Sequence, residues 1–264
     1  MTARGVTLFL AALLTLMPRA VCAGAWTQPE GETELIAGVT YSRAVFGFDH
    51  AGRAGAPLRY EKVLAQLHAE YGWNDWLTLI VAPEYAHARL VARARPPELG
   101  NDAAIEAGVR VRLLDDAGML SAQLTAKSAG AFDMSVSADG APGRQLELRL
   151  LYGRNFTLFG QPGFFDAEVA QRWIAGPRAD EVPIDLTLGL RVSKRDRILL
   201  QSFNIIGQGN SSPPYSYYRA HKLALSVVTD IRPGLCLQSG GYVSPAGQNA
   251  LAEQGVVVNL WVRF

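Results

Sequence analysis

Disulfides, long apolar runs and a surplus of charge of either sign are all missing from this chain. Two cysteines occur in 264 residues, and Cys22 falls inside an N-terminal export signal. Cys236 is then left without an intrachain partner, so an exported domain of this size must draw its stability from a hydrogen-bonded sheet and packing. Beyond the signal no stretch approaches the ~18 uninterrupted apolar residues of a membrane helix. Residence in a membrane is therefore open only to a barrel or to a peripheral protein. The 25 Lys and Arg residues nearly match the 24 Asp and Glu residues, which leaves no basic footprint for nucleic acid, and none is expected as a partner.

What is present begins with processing. Residues 1–25 read as a signal peptide: Arg4 in a short basic start, an apolar run over 6–18, and a small-residue cleavage site after Ala23 or Ala25. The triplet Arg19-Ala20-Val21 before Cys22 does not match a lipoprotein site. Cleavage removes Arg4 and Arg19, leaving 23 basic against 24 acidic residues. Residues 26–264 then read as a single β domain of ordinary size.

Alternation with period two recurs along that domain. Leu35, Ala37, Val39 and Tyr41 alternate with Ile36, Gly38, Thr40 and Ser42, and further alternating runs follow near 58–71, 77–85, 105–113, 120–127, 146–152, 165–172 and 184–192. A run of poorer alternation over 198–206 and runs over 219–230, 235–243 and 255–264 complete twelve strands. The connections expected over 46–57, 96–101, 128–143, 176–180, 207–216 and 244–250 are long. Those at 73–75, 115–118, 194–197 and 232–234 are tight, and 155–163 joins the sixth strand to the seventh.

Long and short connections in alternation, with an even strand number, are the pattern of a transmembrane antiparallel up-and-down β-barrel with periplasmic turns and longer extracellular loops. Twelve strands are too many for side chains alone to fill the interior, so the apolar face is expected outside, against outer-membrane lipid. A soluble two-sheet sandwich is the competing architecture. Tyr71, Trp73 and Trp76 near the short turns, and Tyr41, Phe46, Tyr85 and Trp173 towards the long loops, are placed as interfacial girdles.

The opposite face is expected to line a lumen carrying Glu70, Glu84, Glu106, Arg110, Arg112, Lys127, Glu147, Arg149, Asp166, Glu168, Arg172, Asp185, Arg191, Lys222 and Arg263. Acids and bases interleaved across neighbouring strands form either a stiffening ion-pair lattice or a charged constriction that selects solutes. The last strand puts Val256, Val258, Leu260, Val262 and Phe264 on one face, ending on an aromatic residue of the kind read by barrel-assembly machinery. Its other face, with Asn259 and Arg263, is expected to be the more tolerant of substitution.

Catalytic and metal chemistry find little footing. Outer-membrane lipid hydrolases pair His with Ser two residues along one strand face, but Gly52, Glu70, Arg89 and Leu223 follow His50, His68, His87 and His221 at that spacing. The acidic pair Asp115-Asp116 falls in a short turn, away from an extracellular rim. Scattered histidines and one cysteine give no metal-ligand spacing, and no cofactor is expected.

The phrases YGWNDWLTL (71–79), LRLLYGRNF (148–156), GFFDAEVAQRW (163–173) and GVVVNLWVRF (255–264) resemble those of Gram-negative outer-membrane proteins named after the meta-pathway of phenol degradation, the MetA-like transporter family. The terminal phrase departs from the usual assembly signal in having Val262 in place of an aromatic and Asn259 in place of glycine. The resemblance implies a barrel of about twelve strands that admits small, often aromatic or hydrophobic, molecules. The function expected is a passive channel or facilitator rather than an enzyme. A structural or interaction barrel with an ion-paired, closed lumen is the alternative, and an envelope lipid-modifying enzyme a distant third.

Overall fold

The computed structural model describes residues 24–92, 98–128, 143–212 and 217–264. All but the last two residues of the export signal lie outside that set, as does most of the loop expected over 128–143. The strands are β1 (Thr33–Phe48), β2 (Ala54–Asn74), β3 (Leu77–Ala92), β4 (Glu98–Leu114), β5 (Met119–Lys127), β6 (Gln145–Leu158) and β7 (Gln161–Ile174). They continue with β8 (Glu181–Arg191), β9 (Asp196–Gly207), β10 (Arg219–Arg232), β11 (Leu235–Gln248), the two-residue β12 (Ala250–Leu251) and β13 (Gln254–Arg263). The described residues include no helix long and apolar enough to cross a membrane.

Each strand runs antiparallel to its neighbours in chain order, and β13 returns to β1, so that twelve staves close into one barrel. The seam is in continuous register from Glu34 opposite Arg263 to Arg43 opposite Gln254. Below it the Thr33 N–H donates to the Phe264 carbonyl at 2.8 Å and the Phe264 N–H to the Thr33 carbonyl at 3.1 Å. The short β12 pairs with the far end of β1, through Gly47–Leu251 and Phe48–Ala250. Closure pairs every stave on both sides, which an apolar solvent demands of any backbone that crosses it.

The outer surface carries Val39, Val63, Leu67, Val81, Ile105, Leu124, Leu148, Leu186, Leu200, Leu225 and Val258, all exposed. The inner surface buries Glu34, Glu70, Thr78, Arg110, Ser121, Gln123, Thr125, Glu147, Asp166 and Glu181. A soluble barrel would show the reverse, with its apolar side chains enclosed. This polarity belongs to a protein whose exterior is solvated by lipid, and the chain is an outer-membrane β-barrel. Tyr71, Trp73, Trp76 and Phe264 stand exposed near the short-turn end.

Several strands are longer than their alternation predicted, which corrects four connections. The stretch 46–57 is mostly strand, since β1 and β2 leave only residues 49–53 between them, and register shifts at Ala44, Phe46 and Phe48 hide the period. Of the loop expected over 96–101, residues 98–101 are strand, and of 244–250 only Asn249 falls between strands. The connection 155–163 contracts to Phe159 and Gly160, whose φ angles of 53° and 74° make the left-handed pair of a two-residue hairpin turn. Expecting loops wherever glycine and polar residues cluster misses strands that continue past the bilayer into water.

Strand β2, at 21 residues, is about twice the 9–11 residues that a tilted membrane crossing uses. Its far half is dressed for water: Arg43, Arg59 and Arg89 are exposed on the outside and Glu61 pairs with Arg59 at 2.9 Å. The inner side there buries Ala44, Tyr60 and Ala88, packed by Leu58, Leu90 and Leu251. Polarity thus inverts along the same strands, and the inversion marks where lipid gives way to solvent.

Candidate functional site

The candidate site is the lumen, and its two walls differ. On β2 to β8, charged side chains meet across strands. Arg110 donates to Glu70 at 2.7 Å and to Gln123 at 3.0 and 3.1 Å. Lys127 meets Glu84 at 2.9 Å, with Glu106 opposite Lys127 in register. Arg149 binds Glu147 at 2.7 Å, Asp185 at 2.8 Å and also Glu168. Arg172 joins Glu147 at 2.8 Å to Glu181 at 2.6 Å, and Arg178 and Tyr218 reach the same Glu181. One guanidinium shared by three carboxylates needs side chains of fixed length at fixed register, which neighbouring strands supply.

Elsewhere the lining charges meet in smaller groups of two or three. Arg191 and Arg197 both reach Asp230, at 3.1 and 3.0 Å. Lys222 meets the buried Glu253 at 2.8 Å, and Arg263 clasps Glu34 across the seam. Arg112 turns towards the short-turn end, 3.2 Å from Asp115. Period-two reasoning had not singled out Glu34, Glu181, Glu253, Arg178, Arg197 or Asp230. Glu34 shares a face with Ile36, Gly38 and Thr40, so its parity was the available signal.

The other wall, from β9 round to β2, is sparsely filled. A cavity of about 680 Å³ lies against it, lined there by Ile36, Leu64, Leu199, Phe203, Val228 and Trp261 with Lys62, Gln66, His68, Arg197 and Lys222 among them, and on the facing side by Phe164, Asp166 and Glu168 of β7 and Asp185 of β8. On β9, Leu199, Gln201, Phe203 and Ile205 line the cavity, while Asn204 shares the outer face with His221 of β10. Apolar side chains on both faces are the reason its alternation reads poorly.

The floor of the lumen is a part of the chain the sequence did not flag. Residues 24–32 fold in at the short-turn end, where Ala25 and Gln28 are buried and Trp26 packs edge-on to Phe164 at 5.9 Å. Gln28 donates through its backbone N–H to Thr78 at 2.8 Å and through Nε2 to Glu70 at 2.9 Å. Arg110, already on Glu70, donates to the Trp26 carbonyl at 3.0 Å. Gly72 leaves room for this strap: a Cβ there would fall 1.9 Å from the Pro29 carbonyl oxygen.

Histidine environments bear on catalysis. His68 Nε2 lies 3.0 Å from Glu70, His87 Nδ1 2.6 Å from Asn101 and His221 Nδ1 2.9 Å from Asn204. Ser202 is reached by the Asn204 amide at 3.0 Å, so an amide stands between that hydroxyl and the imidazole. Such an arrangement gives the serine no base. No group of three or more His, Cys, Asp or Glu fit to hold a metal occurs among the described residues.

No sequence-family model matches the chain, and no curated protein matches it in sequence. Solved structures do. An outer membrane channel from Pseudomonas putida F1 superposes with a TM-score of 0.68 at 14% identity, over 93% of this chain and 100% of that one. The β domain of the Bordetella autotransporter BrkA gives 0.61 at 13% identity over 89% and 100%. The translocator domain of the Neisseria meningitidis autotransporter NalP gives 0.59 at 12% over 98% of each. At these identities the likeness is one of fold: a closed outer-membrane barrel spanning nearly the whole of this chain.

Proposed function

We propose that the protein is a passive channel or facilitator for small molecules across the outer membrane of a Gram-negative bacterium, and that the solute path follows the luminal cavity. The observation that carries this reading is the 680 Å³ luminal cavity, which the ion-pair lattice borders through Glu168 and Asp185 without filling it. A lining that mixes Phe164, Phe203 and Trp261 with lysine, glutamine and threonine suits small amphiphilic or aromatic solutes better than bare ions. The MetA-like phrases point the same way. The exposed outer row of Val256, Val258, Leu260 and Phe264 serves as the strand handed to barrel-assembly machinery.

Reconstitution in planar bilayers tests the proposal. Folded protein is expected to give discrete conductance steps that become larger in Trp261→Ala, and phenol-sized solutes are expected to swell proteoliposomes faster than sugars of greater mass. A heat-modifiable, fully folded barrel that never conducts, even with residues 25–28 deleted, overturns it. That result favours the interaction barrel, to which the strap across the lumen floor lends its one structural argument.

A further inference from the structure

We propose that the mature chain begins at Gly24, that its α-ammonium seats on the luminal carboxylates of Asp166 and Glu168, and that residues 24–29 form a plug latched by that contact. The latch stands on geometry alone; its role as a gate rests on the channel reading above.

The Ala25 N–H already donates to Asp166 Oδ2 at 2.8 Å, and the Ala25 carbonyl accepts from the fully buried Ser121. Gly24 is pressed on the same carboxylate: a Cβ there would fall 2.4 Å from Asp166 Oδ2, and its φ of 109° is one that L side chains rarely adopt. Asp166 is buried, and it lines the luminal cavity together with Gly24 and Glu168. A buried carboxylate is neutralised by a cation or a proton, and Arg149, which holds Glu168, is already shared with Glu147 and Asp185.

Sequence left two cleavage sites, after Ala23 and after Ala25, and the first puts the new ammonium on Gly24, which lies against Asp166. Hydrolysis of the 23–24 peptide bond by a signal peptidase consumes one water, leaves a carboxylate on Ala23 and frees an ammonium on Gly24. Cleavage after Ala25 would discard both residues that touch Asp166 and strip the Ser121 hydroxyl of its acceptor. Ala25 is fully buried, so its loss would also empty a seat in the lumen floor.

Mass spectrometry of protein purified from outer membranes is expected to show Gly24 as the first residue; a chain starting at Trp26 overturns the latch. A free α-amine titrates near pH 7.7–8.0, so an ion-paired one reacts slowly. Acylation of the mature terminus near pH 7.5 is expected to be at least tenfold slower in the folded barrel than after boiling in detergent. Asp166→Asn and, independently, Gly24→Ala should recover most of that rate in barrels that still migrate as folded. Equal rates in folded and unfolded wild type overturn the latch as well. Deleting residues 25–28 should raise conductance or open time; a wild type that conducts identically with and without them refutes the plug. Silence from both forms refutes the channel reading instead, while acylation still decides the docking.

Discussion

Arg110 ties the lumen floor to the barrel wall, because it binds Glu70, Gln123 and the Trp26 carbonyl at once. Glu70 is 3% exposed, so Arg110→Met strands a buried carboxylate and should cost about 3 kcal/mol in urea unfolding, the low end for breaking a buried pair, since His68 and Gln28 remain on it. Pairing it with Glu70→Gln should recover part of that loss. A similar argument changes what the closing strand predicts. Its inner face was expected to tolerate change, yet Arg263 clasps Glu34 and Asn259 donates to Gln238 at 2.8 Å. Arg263→Ala therefore joins Val258→Arg, whose charge in the outer apolar band costs about 2–4 kcal/mol, among the costly substitutions. Parity told which face each residue occupies; it was silent on partners, which depend on register between strands far apart in sequence.

Among the elements, β1 to β3 do two jobs along one length. Their membrane halves were legible because lipid outside and polar groups inside enforce strict alternation. Beyond the bilayer both faces meet mixed surroundings, the alternation fades, and bulges near Ala44 to Phe48 shift the phase. That is why a strand extension was read as a loop. The turn at 49–53 is held by Asp49, whose carboxylate accepts from the backbone N–H groups of Arg53 at 2.9 Å and Ala51 at 2.8 Å. The Arg53 N–H, more than the Ala51 N–H or the nearby Arg53 charge, keeps this carboxyl below the usual aspartate range. A depressed folded value means the contact is fully present above the ordinary aspartate pKa and is lost as pH falls through the lower one. Amide exchange at Ala51 and Arg53 should accordingly quicken in Asp49→Ala at neutral pH, while wild type keeps its protection until strongly acid conditions. Unchanged exchange in the variant would show that strand pairing alone sets the turn.

At the scale of the whole molecule, the balance of charge around the luminal cavity governs what the channel reading predicts for ions. Around the cavity Lys62, Arg197 and Lys222 stand against Asp166, Glu168 and Asp185. Arg197 and Lys222 each meet a carboxylate, so the net field along the path is small. Balanced charge gives weak selectivity, because neither sign of ion is repelled along the whole path. In a tenfold KCl gradient the reversal potential of wild type should lie well below the full Nernst value. Lys62, on the cavity wall and opposite Ser42 and Ala88 in register, is a position where one substitution shifts that balance. Lys62→Glu should move the reversal potential towards cation preference at 0.1 M salt, where fields reach about 10 Å. At 1 M, where they reach about 3 Å, the shift should shrink. A shift of equal size at both concentrations would mean that ions pass within direct contact of residue 62, and no shift at either would put the path along another wall.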